Sequence, residues 1–249
     1  MERINSGARY DFLDSLRGLL LLGMIVYHFF WDLVYLFQVE LPWFQSAACY
    51  WWQQSFCWLF IFLSGFCWPL GRRPVRRGLH VIAGGVLVAV ITHVFVPEQA
   101  VVFGILFFLG SAMLLLAAVE GWAAKVRPGW GLFANAALFV LTRNINDGYI
   151  GFEQWNMARL PAVLYKNKLT TYLGFTEAGF ASSDYFSLFP WLFLYLAGYY
   201  AFRISARQGR LPDAFGRGNA CLSRCGRHSL AVYLLHQPLL YLLLTLALR

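Results

Sequence analysis

Long apolar runs separated by short polar stretches dominate the chain. They fall at roughly 16–37, 51–70, 79–96, 101–119, 129–142, 186–203 and 228–248. A bilayer core about 30 Å thick needs about 20 mostly apolar helical residues, so these seven runs predict transmembrane helices. The fifth is short, with only about 14 residues between Pro128 and Arg143, a length that also suits a re-entrant segment. The first is too long for the core of a cleavable signal peptide and carries His28 and Asp32. The expected fold is therefore all-α: a polytopic membrane helix bundle of about seven transmembrane helices. It is read as a single domain over 1–249, with an extracytoplasmic segment at about 143–185.

Composition supports that class. Of 249 residues, 59% are hydrophobic, 18% aromatic and 13% charged. Soluble domains average about 25% charged residues, so a soluble enzyme, a disordered chain and a coiled coil are all disfavoured. The balance of 20 Lys+Arg against 12 Asp+Glu gives +8, which in a soluble chain would suggest nucleic acid. In an apolar chain it reflects loops retained in the cytoplasm, and no nucleic-acid partner is expected. Arg3, Arg9 and Arg17 are read as preceding the first span, whereas loop 38–50 has no Lys or Arg. Arg72, Arg73, Arg76 and Arg77 follow the second run, Lys125 and Arg127 the fourth, and Arg203, Arg207, Arg210, Arg217, Arg224 and Arg227 lie between the last two. Alternate loops are basic, which predicts a cytoplasmic N-terminus, provided that the short fifth run crosses. The five cysteines lack the paired spacing of a zinc site and are read as packing thiols; no metal is expected.

The stretch 143–184 mixes four basic residues with Asp147, Glu153, Glu177 and Asp184, and includes Tyr149, Trp155, Tyr165 and Tyr172. Its 157–174 portion is expected as an interfacial helix. Aromatics there suit a membrane-interface belt and, as the second reading, a platform for sugar rings.

Ionisable groups inside apolar spans are costly and therefore informative. The first span holds Asp14, Arg17, His28 and Asp32. Eleven residues separate Arg17 from His28, which on an α-helix is three turns plus about 20°, or about 16 Å along one face. Asp32 stands one turn beyond His28, where a carboxylate can fix an imidazole tautomer. Arg17 sits where a phosphate-bearing ligand would approach from the cytoplasm, although it equally suits snorkelling to lipid headgroups. His236 lies midway along the last run, followed by Gln237 and Pro238. Two readings stay open for it: a kinked structural helix, or a second pocket wall facing His28. His80 and His93 read as structural or interfacial.

The segment Tyr10-Asp-Phe-Leu-Asp-Ser-Leu-Arg-Gly18, followed by Met24-Ile-Val-Tyr-His28, resembles the opening of the heparan-α-glucosaminide N-acetyltransferase-like family. Further blocks follow in order: Phe60-Ile-Phe-Leu-Ser-Gly65, Phe103-Gly-Ile-Leu106, Asp184-Tyr-Phe186, Pro190-Trp191 with Gly198, and Ser229-Leu with Tyr233-Leu-Leu-His-Gln-Pro238. The Arg17-x10-His28 spacing is also similar to a signature of the related acyltransferase-3 membrane proteins. The chain departs from many relatives at Phe107, where they carry His.

The resemblance implies transfer of an acetyl group from cytosolic acetyl-CoA, as co-substrate, to an extracytoplasmic acceptor such as a sugar or cell-envelope glycan. It also implies a multi-pass enzyme of the bacterial plasma (inner) membrane, with the lipid bilayer as a partner and a homo-oligomer left open. On that reading His28 and Asp32 are the catalytic candidates, and Arg17, Arg72, Arg73, His236 and Gln237 the substrate-binding ones. His28, oriented by Asp32, removes the acceptor's proton or takes the acetyl group itself. Two other classes compete. A small transporter would also keep polar residues at mid-membrane, although the sequence shows no internal repeat. A haem protein could use His28 and His93.

Overall fold

The structure is a computed structural model that describes residues 10–207 and 218–248. Arg3, Arg9, Arg210 and Arg217, used above for orientation, lie outside the described residues. The protein is mostly helical, in the order α1 (Asp11–Tyr35), α2 (Ala47–Phe66), α3 (Pro74–Phe95), α4 (Ile105–Ala123), α5 (Pro128–Leu141), β1 (Tyr149–Phe152), β2 (Trp155–Arg159), α6 (Lys168–Leu173), α7 (Trp191–Arg207), α8 (Ala220–Arg227) and α9 (Ser229–Ala247). Each of the seven apolar runs contains a helix. Four of these helices, α1, α3, α4 and α9, are both long and apolar enough to cross a membrane. The 14-residue α5 is shorter. The first half of α2 carries Tyr50, Trp51, Trp52, Gln53, Gln54 and Ser55, which reduces its mean hydropathy.

The chain forms two compact units. The first comprises Met1–Leu63 with Gly209–Arg249, and the second Ser64–Gln208. Within the first, α1 packs along α8 at very short range because glycines face the crossing. A Cβ on Gly18 would collide with the Leu222 carbonyl, and one on Gly226 with the Asp14 carbonyl. Small residues at a crossing let two helix backbones approach closely. Ser15 Oγ donates to the Asp11 carbonyl (2.7 Å) and to the Asn219 carbonyl (3.0 Å), tying the start of α8 to α1. Along α9 only Tyr233, His236 and Leu244 are buried, while Leu235, Leu239, Leu242, Leu243 and Leu246 are exposed. An apolar surface of that extent suits lipid rather than water.

In the second unit, α3 and α4 form a close hairpin at Gly78, Gly85 and Gly110, and α5 lies on α7 where Gly131 meets the Tyr200 ring. The Arg203 guanidinium on α7 donates to the carbonyls of Ala123 (2.9 Å), Ala124 (2.7 Å) and Val126 (3.2 Å), closing the unsatisfied C-terminal end of α4.

The stretch 143–184 corrects two expectations. It is not one helix over 157–174, where only Lys168–Leu173 is α-helical, and it adds a small sheet to an otherwise α-helical fold. β1 and β2 form an antiparallel hairpin around a turn with Glu153 at φ 52°, and Pro161 follows the second strand. A proline cannot continue a hydrogen-bonded helix turn, and helix resumes only where Asn167 and Thr170 form a capping box for α6. The Asn146 side chain cross-links this segment, donating to the Gly174 carbonyl (3.1 Å), Tyr185 Oη (3.2 Å) and Ser187 Oγ (3.0 Å). Burial pushes the Tyr185 hydroxyl above its ordinary range. Trp155 is 78% exposed, whereas the Tyr172 ring packs against Phe103.

The cysteine expectation is also corrected in part. Cys49 and Cys67 are buried, but Cys221 and Cys225 lie exposed on the short α8. That helix turns only a narrow face, Ser223 and Gly226, inward.

Candidate active site

The first unit brings four of the candidate side chains together. His28 comes from the C-terminal half of α1 and His236 from the middle of α9, and the two imidazoles meet with Nδ1 of His28 2.7 Å from Nε2 of His236. The ring centroids are 4.9 Å apart and the planes differ by 16°, so the rings lie nearly coplanar and end to end along the hydrogen bond rather than face to face. One turn further along α1, Asp32 Oδ1 accepts from Gln237 Nε2 at 2.6 Å. Two rungs therefore join α1 to α9, each between a residue on one helix and a neighbour of chemically matched type on the other.

The direction of the first rung follows from its far end. Nδ1 of His236 lies 2.5 Å from the Tyr233 carbonyl, one turn earlier on α9. A carbonyl can only accept, so that nitrogen carries hydrogen, and in a neutral ring Nε2 is then the bare acceptor. His28 must donate to it from Nδ1, which leaves the lone pair of the neutral His28 ring on Nε2. Among the described residues nothing bonds that nitrogen, and His28 is only partly buried while His236 is 7% exposed. Tautomers here are assigned from the network, and the carbonyl fixes the assignment at every link. Pro238, inside α9, lacks the N–H that would bond the Leu234 carbonyl, one residue beyond Tyr233.

The expected bond from Asp32 to His28 is not formed. The two share a face of α1, but α9 offers the imidazole a ring nitrogen and the carboxylate a carboxamide, and each takes the partner from across the helices. His236 therefore faces His28 directly across the two helices. The Tyr233 carbonyl was missed in the sequence, where a backbone oxygen leaves no trace beyond the spacing of Tyr233, His236 and Pro238.

Arg17 lies near the start of α1 and pairs with Asp14 at 3.1 Å, both side chains being about one-fifth exposed. Arg227 of α8 joins the same cluster through Asp11 (3.2 Å) and Asp14 (3.8 Å). The Arg17 guanidinium is therefore held by a carboxylate of its own helix and keeps further donors for an incoming anion. Arg72 and Arg73 belong to the second unit. Both are exposed in the turn before α3, with Arg73 at φ 53° immediately ahead of Pro74. His80 bonds the Arg76 carbonyl and His93 is exposed in the last turn of α3. Phe107 packs its ring against Phe103 and Tyr172, an apolar contact. No group of three or more metal-ligating side chains occurs among the described residues.

Neither the curated proteins nor the solved structures contain a match to this chain. The family described as heparan-alpha-glucosaminide N-acetyltransferase, catalytic, matches residues 9–238, a span that includes both rungs. Apolar helices long enough to cross a bilayer agree with such a membrane enzyme. The chain belongs to the heparan-alpha-glucosaminide N-acetyltransferase catalytic-domain family of membrane acetyltransferases.

Proposed function

We propose that the protein transfers an acetyl group from cytosolic acetyl-CoA to an extracytoplasmic sugar or glycan, with Nε2 of His28 as the chemical centre. The observation that carries this reading is the one-way chain from the Tyr233 carbonyl through His236 to His28, which leaves a directed lone pair inside an apolar bundle. Acetyl-CoA as co-substrate supplies an activated acyl carbon. His28 Nε2 removes the proton from the acceptor's amine or hydroxyl as it attacks that carbon, and the C–S bond breaks to release CoA, whose thiolate regains the proton. The same lone pair serves the alternative route, in which Nε2 takes the acetyl group before the acceptor does. In either route, positive charge developing on the His28 ring is met by the acceptor nitrogen of His236, itself polarised by the Tyr233 carbonyl. Asp32 and Gln237 make the second rung that holds these rings in register.

The remaining parts rest on the sequence pattern. The charge pattern assigns phosphate binding to Arg17 and to Arg72 and Arg73. Alternating basic loops give seven crossings with the N-terminus in the cytoplasm of a bacterial inner membrane, and the whole of 1–249 acts as one acyltransferase-like domain. Purified protein incubated with labelled acetyl-CoA and glucosaminide or envelope-glycan acceptors should release CoA and label the acceptor. CoA release that never depends on an acceptor would contradict the transfer reading.

A further inference from the structure

Asp32 presents an unbalanced account of hydrogen bonds. Its side chain is fully buried at 0% exposure, Oδ1 faces Gln237, and Oδ2 has no partner. The Oε1 atom of Gln237 is likewise buried without a partner. No Lys or Arg pairs with Asp32 among the described residues. The titratable side chains that α1 and α9 place nearest along these rungs, His28 and His236, are bonded to one another. An ionised carboxylate held inside a membrane bundle with one hydrogen bond and no counter-charge is expensive.

Both orphaned oxygens belong to the two side chains that are already joined. From this we infer that Asp32 is a neutral carboxylic acid clasped to the Gln237 carboxamide, and that this uncharged clasp positions α1 against α9 for the His28–His236 bond. One proton on Asp32 satisfies both oxygens at once: the carboxyl O–H donates to Oε1 while Nε2 donates to the other carboxyl oxygen. With the carboxamide oxygen and nitrogen exchanged, the close contact becomes O–H···O, which again places a proton on Asp32. Asp32 is then a positioning residue, which acts on the reaction by fixing the register of the histidine rung. The inference rests on the proposed role of His28 for its consequence in catalysis, but the protonation state can be read without it.

Infrared spectroscopy of the full-length protein in detergent, with carbon-13-labelled aspartate, tests the clasp directly. At neutral pH the wild type should show a protonated-carboxyl C=O band that shifts in Gln237→Leu and vanishes in Asp32→Asn. Asparagine can reproduce the cyclic pair with Gln237, so Asp32→Asn should keep acetyl transfer within about threefold, whereas Asp32→Ala and Gln237→Leu should lower kcat roughly tenfold or more at unchanged KM for acetyl-CoA. A wild-type spectrum with carboxylate bands alone overturns the inference, and so does an Asn variant that folds yet loses as much activity as Ala. If no transfer is seen in any variant, the proposed function fails while the infrared band still decides the state of Asp32.

Discussion

Nδ1 of His28 donates to Nε2 of His236 at 2.7 Å, and the bond has that polarity because the other nitrogen of His236 is committed to the Tyr233 carbonyl. Two rings on helices more than two hundred residues apart in sequence thus act as one unit, anchored in the backbone at one end and carrying a lone pair at the other. A lone buried imidazole would be free to exchange tautomers. This one is not.

His236 should therefore matter through orientation rather than through contact with the acyl group. His236→Ala should lower kcat by about a hundredfold or more, up to the ~10⁴ lost when a catalytic imidazole takes the wrong tautomer, while the KM for acetyl-CoA stays the same. His236→Gln, whose carboxamide oxygen can accept from Nδ1 of His28, should recover part of the loss. Steady-state kinetics on the three proteins checks this, and a rise in KM alone would instead make His236 a substrate contact.

The charged cluster at the start of α1 gives a prediction for the acyl donor. If Arg17 holds CoA phosphates with donors left over from Asp14, Arg17→Ala should raise the Kd for acetyl-CoA several-fold, and the wild-type affinity should weaken with salt because the pair is partly exposed. Asp14→Asn, which frees the guanidinium, should not weaken binding. Calorimetry in detergent reads all three, and an Arg17→Ala protein with wild-type affinity would return this arginine to a lipid-facing role.

Close packing at Gly18 predicts a stability defect separate from chemistry. A Val side chain there has to displace the α8 backbone at the Leu222 carbonyl, so Gly18→Val should lower the Tm in detergent, with overpacking of this kind costing about 1–3 kcal/mol. Thermal unfolding that matches the wild type would show that α8 leaves α1 without cost.

Reporter fusions test the crossing pattern. Fusions at Ser183 and Gly218 flank α7 and should report opposite sides of the membrane. If both report the cytoplasm, the 14-residue α5 does not cross and the seven-span layout fails.

Much of this was legible in the sequence, and the parts that were not have physical reasons. Each of the seven apolar runs holds a helix, and four of those helices are long and apolar enough to cross a membrane, where a span has to satisfy its own backbone and composition and secondary structure are tightly coupled. The hairpin at 149–159 was not legible, since its five-residue second strand is exposed throughout and offers no alternating pattern. At the site, the sequence pointed to His28, Asp32, His236 and Gln237 because polar residues in spans are rare. It assigned Asp32 to the wrong partner because spacing along one helix says nothing of what a second helix offers. The donor direction of the histidine rung depends on the Tyr233 backbone carbonyl, which only the packed structure brings into view.

The central claim is that the lone pair on Nε2 of His28 performs the transfer. The most direct test is turnover of labelled acetyl-CoA by purified full-length His28→Ala protein, with folding checked by its Tm and donor binding by calorimetry. Loss of a general base or nucleophile predicts a fall in acceptor labelling of at least about a hundredfold, with the fold and acetyl-CoA affinity retained. A folded His28→Ala protein that turns over at near wild-type rate would contradict the claim.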